Sequence, residues 1–156
     1  MRIGILQCDH VKSKLQPKFG NYPEMFATMI HAQNPQHELL NFAACDAELP
    51  HHTDFCDAYV LTGSASSVYE DLQWIRDLEA FVRSLHQQKI PTVGICFGHQ
   101  LMCHHFGANV VLNKDQKYDL LVEAGKGCPV FLKKTHEKTL KLIPIEVLKK
   151  FAIDLS

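Results

Sequence analysis

The chain of 156 residues is 46% hydrophobic and 21% charged, and its 16 basic and 17 acidic side chains give a formal charge of −1. These fractions exclude collagen-like, low-complexity and strongly charged disordered chains, and the length suits a single domain over 1–156. The balanced charge argues against nucleic-acid or membrane partners, and no apolar run reaches the roughly 18 residues of a spanning helix. We therefore expect a cytoplasmic protein.

Short apolar runs alternate with stretches of helical period. In chain order we predict a strand over 2–7, a helix over 22–32, strands over 38–44 and 58–61, a helix over 71–88, a strand over 91–95, a helix over 100–106 and a strand over 109–112. The 71–88 helix has the clearest stripe, formed by Leu72, Ile75, Leu78, Val82 and Leu85. This alternation predicts an α/β fold with an open, mainly parallel sheet and helices on both faces. The alternative is an α+β domain with antiparallel pairs.

The pattern weakens after Leu112. Residues 114–119 are polar, 125–129 are typical of a turn, 130–132 are a candidate short strand, and the apolar spacing of 133–156 is too irregular to assign. No internal repeat or low-complexity linker marks a second domain.

The residues Gly94-Ile95-Cys96-Phe97-Gly98 lie between a predicted strand and a predicted helix. Gly-x-Cys-x-Gly in this context has the spacing of a nucleophile elbow, with cysteine in place of serine. The tight turn requires Gly94 and Gly98, because a side chain two residues before or after the nucleophile would clash. Such a turn presents the sulfur at the carboxyl edge of the sheet and at a helix N-terminus, which favours the thiolate. The motif predicts Cys96 as a nucleophile, and the alternative is a buried cysteine beside a glycine-rich strand end.

A second motif begins with Thr62-Gly63-Ser64, directly after the predicted strand 58–61. Its small residues let a ligand approach the backbone, where free N–H groups can stabilise a developing oxyanion. The alternative is an ordinary strand-to-helix loop.

At these motifs the sequence resembles the class I glutamine amidotransferases, above all stand-alone proteins related to the glutaminase domain of GMP synthase. The matching residues are Gly94-Ile95-Cys96-Phe97-Gly98-His99-Gln100, Thr62-Gly63-Ser64 with Ser67-Val68-Tyr69, and Gly20-Asn21-Tyr22-Pro23-Glu24-Met25-Phe26. The resemblance covers about residues 1–112 and leaves 113–156 as a divergent tail of the same domain. It implies a flavodoxin-like architecture that is incomplete at its C-terminal end.

The resemblance also implies a reaction. Cys96 would attack the side-chain amide carbon of glutamine, release ammonia and leave a γ-glutamyl thioester for water to hydrolyse. Backbone N–H groups of Phe97 and of the Gly63-Ser64 turn would bind the oxyanion, and Gln100 would help to hold glutamine. The ammonia would pass to an acceptor on a synthetase partner, and the reaction needs no cofactor.

The family completes its nucleophile with a downstream His-x-Glu, whose two side chains share one face of an extended segment. No His-x-Glu occurs in the 156 residues. His136-Glu137 cannot replace it directly, because adjacent residues of a strand point to opposite faces. His99 adjoins the elbow, and we expect its side chain to lead away from the thiol. The general base therefore stays without an assigned histidine.

The six cysteines include no C-x-x-C pair, and without an export signal we expect reduced, mostly buried thiols. Two groups of side chains could suggest zinc: His51-His52 with Cys45 and Cys56, and Cys103-His104-His105. Neither has the spacing of a ready zinc site, so we predict no metal.

Three functions are compatible with this pattern. The first is an enzyme that hydrolyses glutamine through Cys96. The second is a catalytically inactive glutamine-binding or regulatory module, favoured by the missing His-x-Glu. The third is a different thiol hydrolase whose base comes from another loop.

Overall fold

The computed structural model describes residues 1–105, 109–112 and 120–123. Its central feature is a parallel sheet of four strands, β1 (Arg2–Leu6), β2 (Glu38–Phe42), β3 (Ala58–Leu61) and β4 (Thr92–Gly94), in the spatial order β2-β1-β3-β4. Two further strands, β5 (Asn109–Leu112) and β6 (Leu120–Glu123), form a separate antiparallel pair. The predicted mainly parallel α/β fold is therefore confirmed.

Helices follow β1, β3 and β4, whereas only 3-10 turns lie between β2 and β3. The helices are α1 (Gln16–Phe19), α2 (Tyr22–Gln33), α3 (Gln73–Gln87) and α4 (Phe97–His105), with the short 3-10 turns at Ala44–Asp46 and Thr53–Phe55. The start of α2 follows from its first residues, since the Glu24 carboxylate accepts the Asn21 N–H at 2.9 Å and Pro23 occupies the first turn. None of the helices in the described ranges has the length and apolar character that crossing a membrane requires.

The sheet buries apolar side chains on both faces. Ile3 and Ile5 of β1 point to one face and pack with Phe26 of α2. Leu6 points to the other face and belongs to a larger cluster with α3 and α4, in which Leu78 and Leu101 are fully buried. Because alternate residues of a strand face opposite sides, one strand contributes to two cores. Burial of each such side chain contributes about 1.5–3 kcal/mol to folding.

The long helix follows its predicted stripe with one exception. Ile75, Leu78, Val82 and Leu85 are buried beneath α3. Leu72 was predicted to belong to the same stripe, but it precedes the helix with extended backbone and is 38% exposed. A residue at this position does not share the helical rotation, so its side chain leaves the apolar face.

Other boundaries also differ from the predictions. The helix predicted over 100–106 begins at Phe97, because the chain enters the helix directly after the elbow and the Gln100 N–H already donates to the Cys96 carbonyl at 2.9 Å. The strand β6 was not predicted. Residue 106 and the candidate turn and strand at 125–129 and 130–132 lie outside the described residues.

Candidate active site

Cys96 lies on the turn between β4 and α4, at the carboxyl edge of the parallel sheet. Its side chain is exposed, and its φ of 53° lies in the left-handed region that residues with a Cβ rarely adopt. The Ile95 N–H donates to the Leu61 carbonyl at 3.0 Å, so the turn remains attached to β3. The fold thus holds one thiol in a strained and accessible position.

The glycines on either side of Cys96 allow the turn to close. A Cβ on Gly94 would lie 2.5 Å from the Gly98 carbonyl oxygen and 2.6 Å from the His99 nitrogen. A Cβ on Gly98 would collide with the Cβ of Leu61 and lie 3.0 Å from its carbonyl oxygen. The atoms that these Cβ atoms would meet belong to the backbone of α4 or to the backbone and Cβ of Leu61 in β3. The clashes therefore cannot be relieved by moving the end of a flexible side chain.

Phe97 anchors the start of α4 against α3. Its side chain is fully buried, and its ring centroid lies 5.5 Å from that of Trp74 on α3. The N–H of the next residue, Gly98, donates to the carbonyls of Ile95 at 3.1 Å and Thr62 at 3.3 Å. Hydrogen bonds and packing therefore tie the turn both to α3 and to the end of β3.

The loop after β3 faces the same turn. A Cβ on Gly63 would lie 3.5 Å from the Cβ of Cys96, so the two backbones are in close contact. Thr62 is fully buried, and its hydroxyl accepts the Cys8 N–H at 2.9 Å and donates to the Gly63 carbonyl at 3.1 Å. Further along, the Ala65 N–H donates to the Asp9 carboxylate at 2.8 Å.

Several backbone donors near the thiol have no acceptor among the described residues. In the part of the chain that the structure describes, the N–H groups of Gly63, Ser64 and Phe97 donate no hydrogen bond. The Ser64 hydroxyl accepts the Ser66 N–H at 3.1 Å and thereby shapes the loop. Free N–H groups beside an exposed thiol are the donors that a tetrahedral oxyanion needs.

Tyr22 and Asp9 complete the surroundings of the thiol. Burial raises the pKa of the Tyr22 hydroxyl, and the negative charges of Asp9 and of a Cys96 thiolate raise it further. Tyr22 and Ile95, the residue before Cys96, both pack against the buried cluster on the α2 face of the sheet. The first turn of α2 thus lies next to the elbow.

Gln100, the predicted substrate contact, lies in the first turn of α4 and is only 9% exposed. Its backbone N–H donates to the Cys96 carbonyl, which places it one helical turn from the thiol.

His99 is buried within α4, and its Nε2 lies 3.2 Å from the Cys103 sulfur one turn further on. This contact directs the imidazole along the helix. The other substitute considered from the sequence, His136-Glu137, lies outside the described residues.

One set of metal-ligand side chains comes together within the described ranges. The ligand atoms of His10, Cys45 and Asp46 lie within 4.8 Å of one another. His10 Nδ1 faces the side-chain amides of Gln7 at 2.9 Å and Asn21 at 3.2 Å, and Nε2 lies 2.8 Å from the Asp46 carboxylate. Amide donors on Nδ1 place the imidazole proton on Nε2, where it donates to Asp46. A metal would need the lone pair that this proton occupies.

The remaining described cysteines differ from Cys96 in burial and chemistry. Burial raises the pKa of the Cys8 thiol to about 12 and that of Cys45 to about 11, and it also raises the pKa of Cys56. Cys103 is buried, and its sulfur contacts His99 Nε2. Buried thiols with a raised pKa are weak nucleophiles, and Cys96 is the described cysteine whose side chain is exposed, so it is the candidate nucleophile.

Sequence reasoning assigned no role to three residues of this region. Thr62 and Tyr22 stand inside the motifs that carried the resemblance, so their positions were available as a signal. Nothing in the sequence indicated that Asp9 lies beside this loop, because its partner Ala65 is 56 positions away in the chain.

Comparison with known proteins gives the family. The model of the family described as glutamine amidotransferase class-I matches residues 22–143. Gamma-glutamyl peptidase 4 of Arabidopsis thaliana is 29% identical over 94 residues, which are 59% of this chain and 37% of that protein. The glutamine-hydrolyzing GMP synthase of Campylobacter lari is 33% identical over 101 residues, which are 64% of this chain and 18% of that protein.

A solved structure has the same fold. A glutamine amidotransferase from Thermotoga maritima superposes with a TM-score of 0.58 at 19% sequence identity, over 73% of this chain and 46% of that one. The architecture is thus that of the flavodoxin-like α/β proteins. Within this class, the chain belongs to the class I glutamine amidotransferase family, whose model covers more than half of it. The chain spans less than half the length of the Arabidopsis gamma-glutamyl peptidases that it matches.

Proposed function

We propose that this protein hydrolyses a γ-glutamyl amide, with glutamine as the first substrate to test and Cys96 as the nucleophile. The observation that carries the proposal is the exposed thiol on a left-handed turn, in contact with a loop in which the N–H groups of Gly63 and Ser64 have no acceptor among the described residues. The family and its relatives support the substrate class, since one relative is named for glutamine hydrolysis and another for γ-glutamyl peptides.

The reaction has two halves. In the first, a bond forms between the Cys96 sulfur and the γ-carbonyl carbon, and the carbonyl oxygen becomes an oxyanion. The carbonyl then re-forms, the C–N bond breaks, and ammonia leaves with the proton that the thiol gave up. In the second, water attacks the thioester, glutamate leaves and the thiol is restored. The net change is glutamine plus water to glutamate plus ammonia.

The surrounding residues have separate roles in this proposal. The N–H groups of Phe97 and of the Gly63-Ser64 turn stabilise the oxyanion, and Gln100 contacts the substrate glutamine. Gly94 and Gly98 allow the turn that exposes the thiol. A synthetase partner that accepts the ammonia is part of the proposal, as is a cytoplasmic location.

A second candidate is a glutamine-binding or regulatory module without turnover. One observation favours it, namely the absence of His-x-Glu from the sequence. Such a module would bind glutamine beside Cys96 without a base to activate the thiol.

The deciding experiment measures glutamate release from L-glutamine by the purified chain, with γ-glutamyl peptides as parallel substrates. Cys96→Ala should abolish release, whereas Cys45→Ala, which removes a free thiol outside the turn, should leave it unchanged. Release that survives in Cys96→Ala would refute the nucleophile. Glutamine binding by calorimetry without any release, from protein that is folded by circular dichroism, would favour the binding module.

A further inference from the structure

Thr62 contacts the loop that carries the candidate oxyanion donors but is not one of them. Its buried hydroxyl can donate one hydrogen bond, which it gives to the Gly63 carbonyl at 3.1 Å. Its oxygen accepts the Cys8 N–H at 2.9 Å, so its orientation is set by the segment that directly follows β1. The hydroxyl therefore links the Cys8 backbone to the Gly63-Ser64 peptide and holds that peptide in place.

The hydrogen bond from Thr62 to the Gly63 carbonyl also constrains the Ser64 N–H, because the peptide between them is planar and trans. The carbonyl of Gly63 and the N–H of Ser64 belong to one planar unit and point in opposite directions. Once the Thr62 hydroxyl holds the carbonyl, the Ser64 N–H must point away from Thr62. That N–H has no partner among the described residues, and the same segment of backbone lies against Cys96.

Asp9 holds the other end of the loop. Its carboxylate accepts the Ala65 N–H at 2.8 Å and the His10 N–H at 2.7 Å, and its carbonyl accepts the Gln7 side-chain amide at 2.8 Å. Gln7 is only 2% exposed, so this anchor is itself fixed in the structure. The loop is thus tied at both ends to residues that follow β1.

We propose that Thr62 and Asp9 are positioning residues, which fix the Gly63–Ala65 loop so that the Ser64 N–H is available to the oxyanion formed at Cys96. The inference rests on the proposed function, because it assumes that an oxyanion forms there. Neither side chain touches the substrate. Both act through the backbone, by holding in advance a donor that would otherwise rotate away.

The test compares Thr62→Val, which removes only the hydroxyl, with Thr62→Ser, which keeps it. The matched control is Thr53→Val, since Thr53 is another buried threonine whose hydroxyl donates at 2.7 Å, to Gln88 far from the turn. We expect Thr62→Val to lower kcat by about 10-fold to 100-fold with little change in KM, because the donor serves the transition state more than the bound substrate. Thr62→Ser and Thr53→Val should stay close to the unmodified protein.

A second readout separates positioning from general damage. Alkylation of Cys96 by iodoacetamide displaces iodide and forms no oxyanion, so its rate should not fall in Thr62→Val. Asp9→Ala, which removes both carboxylate acceptors, provides an independent variant should Thr62→Val fail to fold. It should also lower kcat, without slowing alkylation, because removal of a negative charge does not disfavour the thiolate.

Each result has a defined meaning. Unchanged kcat in folded Thr62→Val and Asp9→Ala, or a parallel loss of kcat and alkylation rate, overturns the proposal while the glutaminase function stands. If the unmodified protein hydrolyses nothing, the proposed function fails, and the loop is tested by reversible addition of glutaric semialdehyde to Cys96, which also creates an oxyanion. Weaker addition in Thr62→Val than in Thr62→Ser then supports the positioning role, and equal addition overturns it.

Discussion

The left-handed backbone conformation of Cys96 leads us to predict how substitutions at this position change the free energy of unfolding, whether or not the protein is an enzyme. With φ at 53°, the Cβ of residue 96 lies too close to the neighbouring carbonyl, whereas glycine adopts this conformation freely. We therefore expect Cys96→Gly to be more stable than Cys96→Ala. Both variants lack the thiol, so the difference between them isolates the backbone.

The magnitude follows from two opposing effects. A residue with a Cβ loses about 1–2 kcal/mol in the left-handed region. Glycine loses about 0.5–1 kcal/mol more conformational entropy than alanine on folding. The net expectation is that glycine at position 96 exceeds alanine by about 0.5–1 kcal/mol in the free energy of unfolding.

Gly63 provides the matched control, because it is near the same turn and has no strained φ. A Cβ there would make only an ordinary contact, 3.5 Å from the Cβ of Cys96. Alanine should then be favoured over glycine by about 0.4–1 kcal/mol, since it restricts the unfolded chain. The preference between alanine and glycine should therefore have opposite signs at positions 63 and 96.

The assay is urea unfolding of the four proteins, followed by circular dichroism, with the free energies compared at equal m-values. Alanine at position 96 as stable as glycine, or more stable, would refute the argument that the turn is strained. The same sign at positions 63 and 96 would show that general loop entropy explains the result.

Three further predictions concern packing and pH. Gly94→Ala should lower the free energy of unfolding by about 1–3 kcal/mol or more, since its Cβ would lie 2.5 Å from the Gly98 carbonyl oxygen; a urea midpoint equal to that of Gly63→Ala would contradict this. Gly4→Ala should lower the free energy of unfolding by a similar amount, because its Cβ would lie 2.5 Å from Cδ1 of the fully buried Tyr59. An unchanged melting temperature would show instead that the ring moves aside. The pKa of Cys8 is about 12 in the folded chain against an ordinary value of 9.0, so its neutral thiol stabilises the fold fully below pH 9.0 and loses this effect as pH rises. Above pH 9.0 the unfolded chain loses this proton while the folded chain still keeps it. The free energy of unfolding therefore falls by about 1.4 kcal/mol per pH unit. Urea midpoints measured on both sides of pH 9.0 should fall more steeply in the unmodified protein than in Cys8→Ser, and equal slopes would count against the buried thiol.

Much of this protein could be predicted from local pattern. The strand over 58–61 has its predicted bounds, and the start of α2 at Tyr22 was also predicted. The elbow residues lie within five positions of one another, so their spacing describes the turn directly. Patterns of this kind arise from short-range sterics, which the neighbouring residues largely determine.

The helix starts were harder to predict because they depend on contacts from other segments. α4 begins at Phe97 because the elbow leads straight into it and the buried Phe97 ring packs on Trp74. Leu72 leaves the apolar stripe because α3 begins one residue later. Periodicity alone does not reveal where a chain enters a helix.

The sequence by itself determined the family, the parallel α/β architecture and the position of Cys96 on a glycine-flanked turn. Only the tertiary structure decided what surrounds that thiol. The Thr62 hydroxyl meets Cys8 across 54 positions, and the Asp9 carboxylate meets Ala65 across 56. Such partners are set by the register of β1 against β3, and that register is decided by the packing of the two faces of the sheet rather than by the residues next to each partner in the chain.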